Sequence, residues 1–136
     1  MILYPNGGAL ILAGDIRTLL ANSELHLFKA ISQPISVSTV IGDLTEADYD
    51  GYLAKTIAAW LPPYLDPAGG SSIQSGTQQF DFAAVPAVTN VVLGFYLLVA
   101  AGDLLLVGTF DSPIPMTQNG DSIPVNLTLN FGASPA

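Results

Sequence analysis

The longest apolar run of the chain, NVVLGFYLLVAAGDLLLVGTF at residues 90–110, predicts a β-hairpin rather than a membrane span. A membrane-spanning helix needs about 20 uninterrupted apolar residues, and Gly102-Asp103 divides this run into two halves of strand length. Residues 100–103 are typical of a tight connection, so the strands are predicted at residues 91–99 and 104–110. Both strands are apolar on both faces. One face can fill the core, and the other needs a second sheet or another subunit to cover it.

Two segments outside the hairpin have helical patterns. Apolar residues recur at helical spacing after Asn6-Gly7-Gly8, which predicts a short helix over residues 8–21 with Asn6 as its candidate cap. The stretch GDLTEADY at residues 42–49 predicts a helix of one or two turns, with Thr45 as its N-cap and Asp48 at the capping-box position.

The remaining pattern is that of short strands separated by turns. Strands are predicted over residues 24–30, 52–60, 78–84 and 123–130, whereas proline and glycine make residues 61–70 a loop. Residues 71–77 are polar and predict an edge strand or a loop. Residues 112–116 predict an irregular edge strand. Asn119-Gly120-Asp121 predicts a turn.

This count of about seven strands predicts a mainly β fold. The expected architecture is an antiparallel β-sandwich or Greek-key, jelly-roll-like barrel with a short N-terminal helix and one short internal helix. The length fits a single domain over residues 1–136. Residues 1–23 would form its N-terminal segment, residues 24–131 its β core and residues 132–136 its tail.

Charge narrows the classes of function. Only 10% of the residues are charged, against about 25% in a typical soluble domain, which favours a protein that hides much of its surface against copies or partners. The net charge is −8, with Arg17, Lys29 and Lys55 as the only fixed cations. We therefore expect no nucleic-acid partner and no anionic membrane partner.

The chain has no cysteine, so it has neither disulfides nor thiolate chemistry. Its N-terminal sequence does not resemble a signal peptide, so we expect it to fold in a cytoplasm.

The residues that carry chemistry do not form a catalytic pattern. His26 is the only histidine, whereas a metal site or a hydrolytic triad needs further partners, so a structural role is expected. Glu46, Asp48 and Asp50 faintly resemble a calcium loop but lack its full spacing, and favourable interaction with a helix N-terminus is the simpler interpretation. Spacing alone does not exclude a pair of carboxylates for glycoside chemistry. We assign no catalytic, cofactor-binding or metal-binding residue and expect no cofactor.

The aromatic residues divide into two groups. Tyr49, Tyr52 and Tyr96 fall in predicted elements and are expected in the core. Trp60 and Tyr64 flank the proline-rich loop, and both residue types are enriched in interfaces, so a contact role is expected there.

A series of motifs along residues 2–131 resembles a known family. It comprises PNGG, LHLFK, GDLTEADYDGY, LGFYL, PIPM, NGDSIPV and LTLNF. In this order the motifs resemble a family of small structural proteins encoded by tailed bacteriophages, including cyanophages. Residues 104–107 are more apolar than the family pattern, which strengthens the case for additional burial at that strand.

The resemblance implies a non-enzymatic virion protein, most simply a capsid decoration (cement) protein. Its partners would be the major capsid protein of the same phage and further copies of itself, as a homodimer or homotrimer. It would be made in the host cytoplasm and be located on the capsid surface. We expect the outer side of the hairpin to join the copies through Val91, Leu93, Phe95, Leu97, Leu105 and Val107. We expect shell contacts at Tyr4, Trp60 and Tyr64.

Two other classes of function remain open. A head-fibre, tail-fibre or receptor-binding module would bind carbohydrate through Trp60, Tyr64 and acidic loop residues, with or without Ca²⁺. A small hydrolase acting on a surface polymer would need two carboxylates that converge in a cleft.

Overall fold

The computed structural model describes residues 6–67, 69–83 and 88–131, which form one α-helix, one short 3-10 helix and ten strands. The helix α1 is Asn6–Leu19, and the 3-10 helix is Ile41–Asp43. The strands are β1 (Ser23–Ile31), β2 (Leu44–Glu46), β3 (Lys55–Ile57), β4 (Tyr64–Leu65), β5 (Ser71–Gln74), β6 (Gln78–Asp81), β7 (Asn90–Leu98), β8 (Leu104–Met116), β9 (Ser122–Val125) and β10 (Thr128–Phe131).

The strands form three sheets. The largest has the order β2-β1-β7-β8, with β3 also paired to β1; a second has the order β10-β5-β4, and β6 pairs with β9. The pairs of β1 with β2 and β7, of β7 with β8, and of β5 with β4 and β10 are antiparallel. The predicted mainly β, antiparallel class with a helix near the N-terminus is confirmed and is consistent with a β-sandwich. The Greek-key connection stays a prediction.

The chain divides into two compact units. The first contains the described residues of Met1–Asn22, Ile57–Gln78 and Val125–Ala136, and the second those of Ser23–Thr56 and Gln79–Pro124. The predicted single domain stays a prediction.

In the first unit, α1 contacts β4, β5 and β10. Ala13 and Leu20 are fully buried, whereas Ile11 and Leu19 are exposed, as the helical spacing requires. The helix ends before Asn22, whose φ of 60° is a left-handed conformation that asparagine tolerates. The predicted helix over residues 8–21 is confirmed, shifted by two residues at each end.

The polar strand β5 lies in the middle of its sheet, so the predicted edge strand or loop is wrong for residues 71–74, whereas residues 75–77 form a loop. Ser71 and Ser72 are fully buried, and their hydroxyl groups have partners inside the unit. Ser71 Oγ donates to the backbone oxygen of Tyr64 at 3.0 Å, and Ser72 Oγ donates to Asp66 Oδ2 at 2.9 Å. Buried hydroxyl groups are tolerated because these bonds replace those to water.

In the second unit the predicted hairpin is confirmed. β7 and β8 pair from Leu98 opposite Leu104 to Asn90 opposite Met116, and the connection between them contains Gly102 at a φ of 92°. The predicted irregular edge over residues 112–116 is confirmed. β8 continues to Met116 as the last strand in the sheet order, and its pairing with β7 shifts register between Val92 and Gly94.

The predicted helix over residues 42–49 is wrong. Only Ile41–Asp43 forms a helical turn, and Thr45 caps nothing because it lies in β2, opposite Ala30. Backbone pairing of β2 with β1 replaces the hydrogen bonds that a helix would make within residues 42–49, and tertiary pairing routinely overrides local propensity.

Three strand predictions differ from the structure in extent. Of residues 52–60 only β3 is a strand, and residues 123–130 form β9 and β10 instead of one strand. The predicted loop over residues 61–70 contains the two-residue strand β4. β6 confirms the start of the strand predicted over residues 78–84, whose last residue lies outside the described part of the chain.

Candidate functional site

The six side chains predicted to join copies of the chain lie on both faces of the β7–β8 pair. Directly opposed residues of neighbouring strands point to the same face. Tyr96 is opposite Val107, and Phe95 is opposite Gly108. Val107 therefore shares a face with Tyr96, whereas Phe95 points to the other face.

Exposure separates the six residues further. Leu97 is opposite Leu25 in β1, and both side chains are fully buried at 0% exposure. Val91 is half-exposed at 50% and Leu105 at 44%. Leu97 is thus a core residue of the folded chain and cannot contribute to an outer surface.

The exposed apolar residues of the second unit concentrate beside the start of β8. The loop before the 3-10 helix and residues 104–107 line a groove of about 240 Å³. Its lining side chains include Ile35, Val37 and Leu105, all of which are exposed, and Val37 is fully exposed. Val40, the last residue of that loop, and Ile41, the first residue of the 3-10 helix, are exposed as well. We name Ile35, Val37, Val40, Ile41 and Leu105 the edge patch.

The loop of the edge patch is held in its conformation by local hydrogen bonds. The Ser36 N–H donates to Thr39 Oγ1 at 2.9 Å, and the Ser38 N–H donates to Ser36 Oγ at 3.1 Å. Asp43 Oδ2 accepts the Val40 N–H at 3.1 Å, and the Asp43 backbone oxygen accepts the Ser32 N–H at 2.9 Å. These bonds present the apolar side chains on an ordered support, which lowers the entropy lost on binding.

One strand edge lies beside the edge patch. β8 ends the sheet order, and no described strand pairs with its outer edge. A register shift between Leu97 and Leu98 places a bulge in β8 near Leu105, and bulges at sheet edges hinder the addition of a further strand. A partner at this edge would therefore bind by burying apolar side chains rather than by adding a strand to the sheet.

His26 lies between two carboxylates in the same unit. Its Nδ1 is 2.5 Å from Glu46 Oε1 and its Nε2 is 3.2 Å from Glu24 Oε2. Its ring stacks on Tyr96 with 4.8 Å between the centroids. Both ring nitrogens have carboxylate partners on opposite sides of the ring, so neither points to an open position for a metal or a substrate. This is the arrangement of a structural hydrogen-bonded cluster.

Two tyrosines complete the cluster around Glu46. Tyr52 Oη donates to Glu46 Oε1 at 2.8 Å and accepts the Leu27 N–H at 3.1 Å. Burial raises the pKa of Tyr52, and burial together with the charge of Glu46 raises the pKa of Tyr96 to about 12. Both phenols stay neutral at ordinary pH and act as packing and hydrogen-bonding groups.

The three acids predicted near a helix N-terminus lie after the single helical turn and have different partners, with Asp50 bonded through its backbone to Val88 and Ala83. Glu46 contacts His26, whereas Asp48 accepts a hydrogen bond from Lys29 Nζ at 2.7 Å. The Lys29 ammonium and the Asn90 amide hold the pKa of Asp48 below its usual value. Within the described ranges, no group of three or more histidine, cysteine or acidic side chains could hold a metal ion.

The predicted shell contacts fall in the first unit. Trp60 is buried at 1% exposure, and its backbone oxygen accepts a hydrogen bond from Arg17 Nε at 2.7 Å. Tyr64 is exposed at 38%, together with Leu61 and Leu65, and its Oη accepts a hydrogen bond from Gln74 Nε2 at 3.2 Å. Of the pair, only Tyr64 is available to a partner through its side chain. The third predicted shell contact, Tyr4, lies outside the described residues.

The loop residues of the edge patch are not among the contact residues predicted from the sequence. Their signal was present in the sequence, because residues 30–42 contain no charged side chain and alternate apolar with small polar residues over ISVSTV. The alternation alone is typical of a half-buried strand, and only the structure shows that these side chains are exposed.

Comparison with known proteins adds no relative. No protein-family model, no curated protein and no solved structure matches this chain. No helix in the described part of the chain has the length and apolar character needed to cross a membrane.

Proposed function

We propose that this chain is a non-enzymatic structural protein of a phage virion. Its role would be that of a capsid decoration (cement) protein, which binds the outer shell as a homo-oligomer and stabilises it. The observation that supports this proposal best is the edge patch. Its five exposed apolar side chains, on a hydrogen-bonded loop, the start of the 3-10 helix and a strand edge, are costly for an isolated protein and useful for one that assembles.

A cement protein acts through its contact surface and does not need catalytic turnover. Each copy adds buried area where shell subunits meet, and repetition over the lattice multiplies weak contacts through effective concentration. A closed symmetric oligomer can match a local symmetry axis of the shell. The low charge content and the structural role of His26 are consistent with this role.

The proposed partners are the major capsid protein and further copies of the chain, on the outer surface of the capsid. Tyr64, with Leu61 and Leu65, is the exposed apolar group of the first unit and is our proposed shell contact. Tyrosine suits such a position because it contributes large contact area at low cost in side-chain entropy.

The first test is the copy number of the chain in purified virions, measured by quantitative mass spectrometry against the major shell protein. A decoration protein gives a copy number that is a simple fraction of the shell copy number. A handful of copies per virion would support a fibre role instead, and absence from virions would contradict any virion role.

A second test uses shells that lack the chain. Adding the purified protein should raise the temperature at which the shells disassemble, because a ligand of the assembled state stabilises that state. Tyr64→Ala should reduce the effect, whereas Leu53→Ala, a change at an exposed side chain of the second unit, should not. An equal loss in both variants would contradict the assignment of the shell contact.

The second candidate function is a fibre or receptor-binding module. The exposed Tyr64 also favours this role, because aromatic rings are common contact residues for large ligands. Glycan-array binding that is lost in Tyr64→Ala, combined with a low copy number per virion, would favour it over the cement role.

A further inference from the structure

We infer that the edge patch is a two-fold contact between two copies of this chain. The inference deepens the proposed function and rests on it for the role of the oligomer. The interface predicted from the sequence lay on one face of the whole hairpin. The contact inferred from the structure lies instead on the loop before the 3-10 helix and on the start of β8.

The absence of charged residues from the edge patch favours a second copy of this chain as its binding partner. In a two-fold contact the residues near the axis meet their own counterparts, so a charge there comes close to a charge of the same sign. Because this chain has a net charge of −8 and only three fixed cations, a segment without charges suits the region near the axis. Residues 30–42 and 104–110, which supply the edge patch and its groove, contain no acidic residue, no lysine, no arginine and no histidine.

The charged residues that border the edge patch also favour a second copy as the binding partner. The charges that border these segments in the sequence include Asp43, Asp103 and Asp111. Asp43 Oδ2 accepts the Val40 N–H and so holds the loop, and Asp103 and Asp111 are not among the residues that line the groove. A foreign partner that complements an acidic protein would be expected to contribute cations against carboxylates, and this patch offers it none. The acidic remainder of the surface is available for that partner, and the neutral patch suits a copy.

The contact we propose is made by side chains. The bulge near Leu105 interrupts the strand, so burial of Leu105, Val37 and Ile35 against their counterparts would supply most of the favourable free energy. Two identical ordered loops lose little conformational freedom when they meet.

The experiment measures the mass of the full-length chain by sedimentation equilibrium over a range of concentrations. At about 100 µM, well above a micromolar dissociation constant, we expect the wild-type chain to be a dimer. Leu105→Lys and Leu105→Glu should each raise the dimer dissociation constant by about a hundredfold or more, because like charges then meet across the two-fold axis.

Mixing is the decisive step. An equimolar mixture of Leu105→Lys and Leu105→Glu should restore the dimer, because opposite charges then meet, and restoration also shows that both variants are folded. Val37→Lys and Val37→Glu repeat the design at a fully exposed side chain that is least able to disturb folding. The matched controls are Leu53→Lys and Leu53→Glu, at an exposed leucine outside the edge patch, which should dimerise like the wild type.

Several outcomes would overturn the inference. These are a monomeric wild type at about 100 µM, a dimer unaffected by the changes at both Leu105 and Val37, a mixture that stays monomeric, and a closed trimer. Shell binding by a monomer that is lost in Val37→Glu would assign the patch to the shell protein instead. The virion copy number is independent of these results, so an edge-patch dimer absent from virions contradicts only the proposed function. A monomer abundant in virions contradicts only the two-fold contact.

Discussion

Gly94 of β7 lies directly opposite Phe28 of β1, and the ring of Phe28 occupies the space that a side chain at position 94 would need. A Cβ atom at position 94 would lie 2.8 Å from two ring carbons of Phe28 and 2.1 Å from the backbone oxygen of Gly108. Phe28 is fully buried. The close approach of three strands at this point therefore requires glycine, as is common where backbones meet closely inside a sheet.

Gly94→Ala should therefore destabilise the protein by about 1–3 kcal/mol, the usual cost of overpacking a core. The measurement is the free energy of unfolding from urea denaturation. Gly14→Ala is the matched control, because Gly14 lies in α1 with open space around its Cα. There alanine should stabilise by about 0.5–1 kcal/mol. If Gly94→Ala proved neutral, the packing of Phe28 on Gly94 would be wrong.

The Asn90 side chain makes four hydrogen bonds, three of which join β7 to the segment after β2. Its Oδ1 accepts the backbone N–H groups of Asp48 at 2.7 Å and of Tyr49 at 2.9 Å. Its Nδ2 donates to Asp48 Oδ1 at 2.9 Å and to the Thr89 backbone oxygen at 2.7 Å. The side chain of Asn90 is the main support for a stretch that has no regular secondary structure.

Asn90→Ala should lower the free energy of unfolding by about 2–4 kcal/mol, because two backbone N–H groups lose their acceptor in a poorly solvated position. Asn90→Asp keeps the acceptor but places a second carboxylate beside Asp48, so its stability should recover as the pH falls and these carboxylates are protonated. Urea denaturation at pH 7 and pH 4 measures both effects. Asn119→Ala, at an exposed turn residue, should change the free energy by less than about 0.5 kcal/mol, and a comparable loss there would contradict the specific role of Asn90.

The parts of the fold that the sequence predicted are those with a strong local pattern. α1 follows from the helical spacing of its apolar residues and β1 from alternation, whereas the β7–β8 hairpin follows from a long apolar run divided by Gly102-Asp103. The stretch after Gly42 was mispredicted because its partners are distant in the chain. Glu46 contacts His26, 20 residues away, and Asp48 contacts Asn90, 42 residues away.

The sequence predicted an exposed apolar surface at the hairpin but not which residues form it. An apolar surface beside the hairpin was expected, and Leu105 and Val91 are indeed exposed. A strand that is apolar on both faces gives no local signal for which face is covered, so Leu97 and Leu105 could not be separated from the sequence. The loop residues Ile35 and Val37 were missed because exposure is a property of the tertiary structure.

Three of the five tyrosines should resist ionisation in the native protein. Burial raises the pKa values of Tyr49 and Tyr96 to about 12 and also raises the pKa of Tyr52. A free phenol, with a pKa of about 10, is mostly ionised at pH 11. Absorbance at the tyrosinate band should therefore rise when denaturant is added at pH 11, as the three buried phenols become exposed and ionise.

The same shifts set the alkaline limit of stability. Because the pKa values are higher in the folded state than in the unfolded state, the stabilising contribution is complete below about pH 10 and is lost as the pH rises towards about 12. Tyr96→Phe should reduce the denaturant-induced rise in absorbance by about a third of its amplitude. A native protein in which all five phenols ionise together near pH 10 would contradict the burial of this cluster.

Leu97 and Leu105 occupy neighbouring strands of one hairpin, yet the same substitution should destabilise the protein by very different amounts at the two positions. Leu97→Ala removes a fully buried side chain and should cost about 2–5 kcal/mol of unfolding free energy. Leu105→Ala removes a side chain that is 44% exposed, so its cost should be below about 1 kcal/mol. Urea denaturation of the dilute, monomeric protein measures both values without a contribution from self-association. A loss for Leu105→Ala that equals the loss for Leu97→Ala would mean that Leu105 belongs to the core, and the edge patch would then lose the strand residue on which the two-fold contact depends.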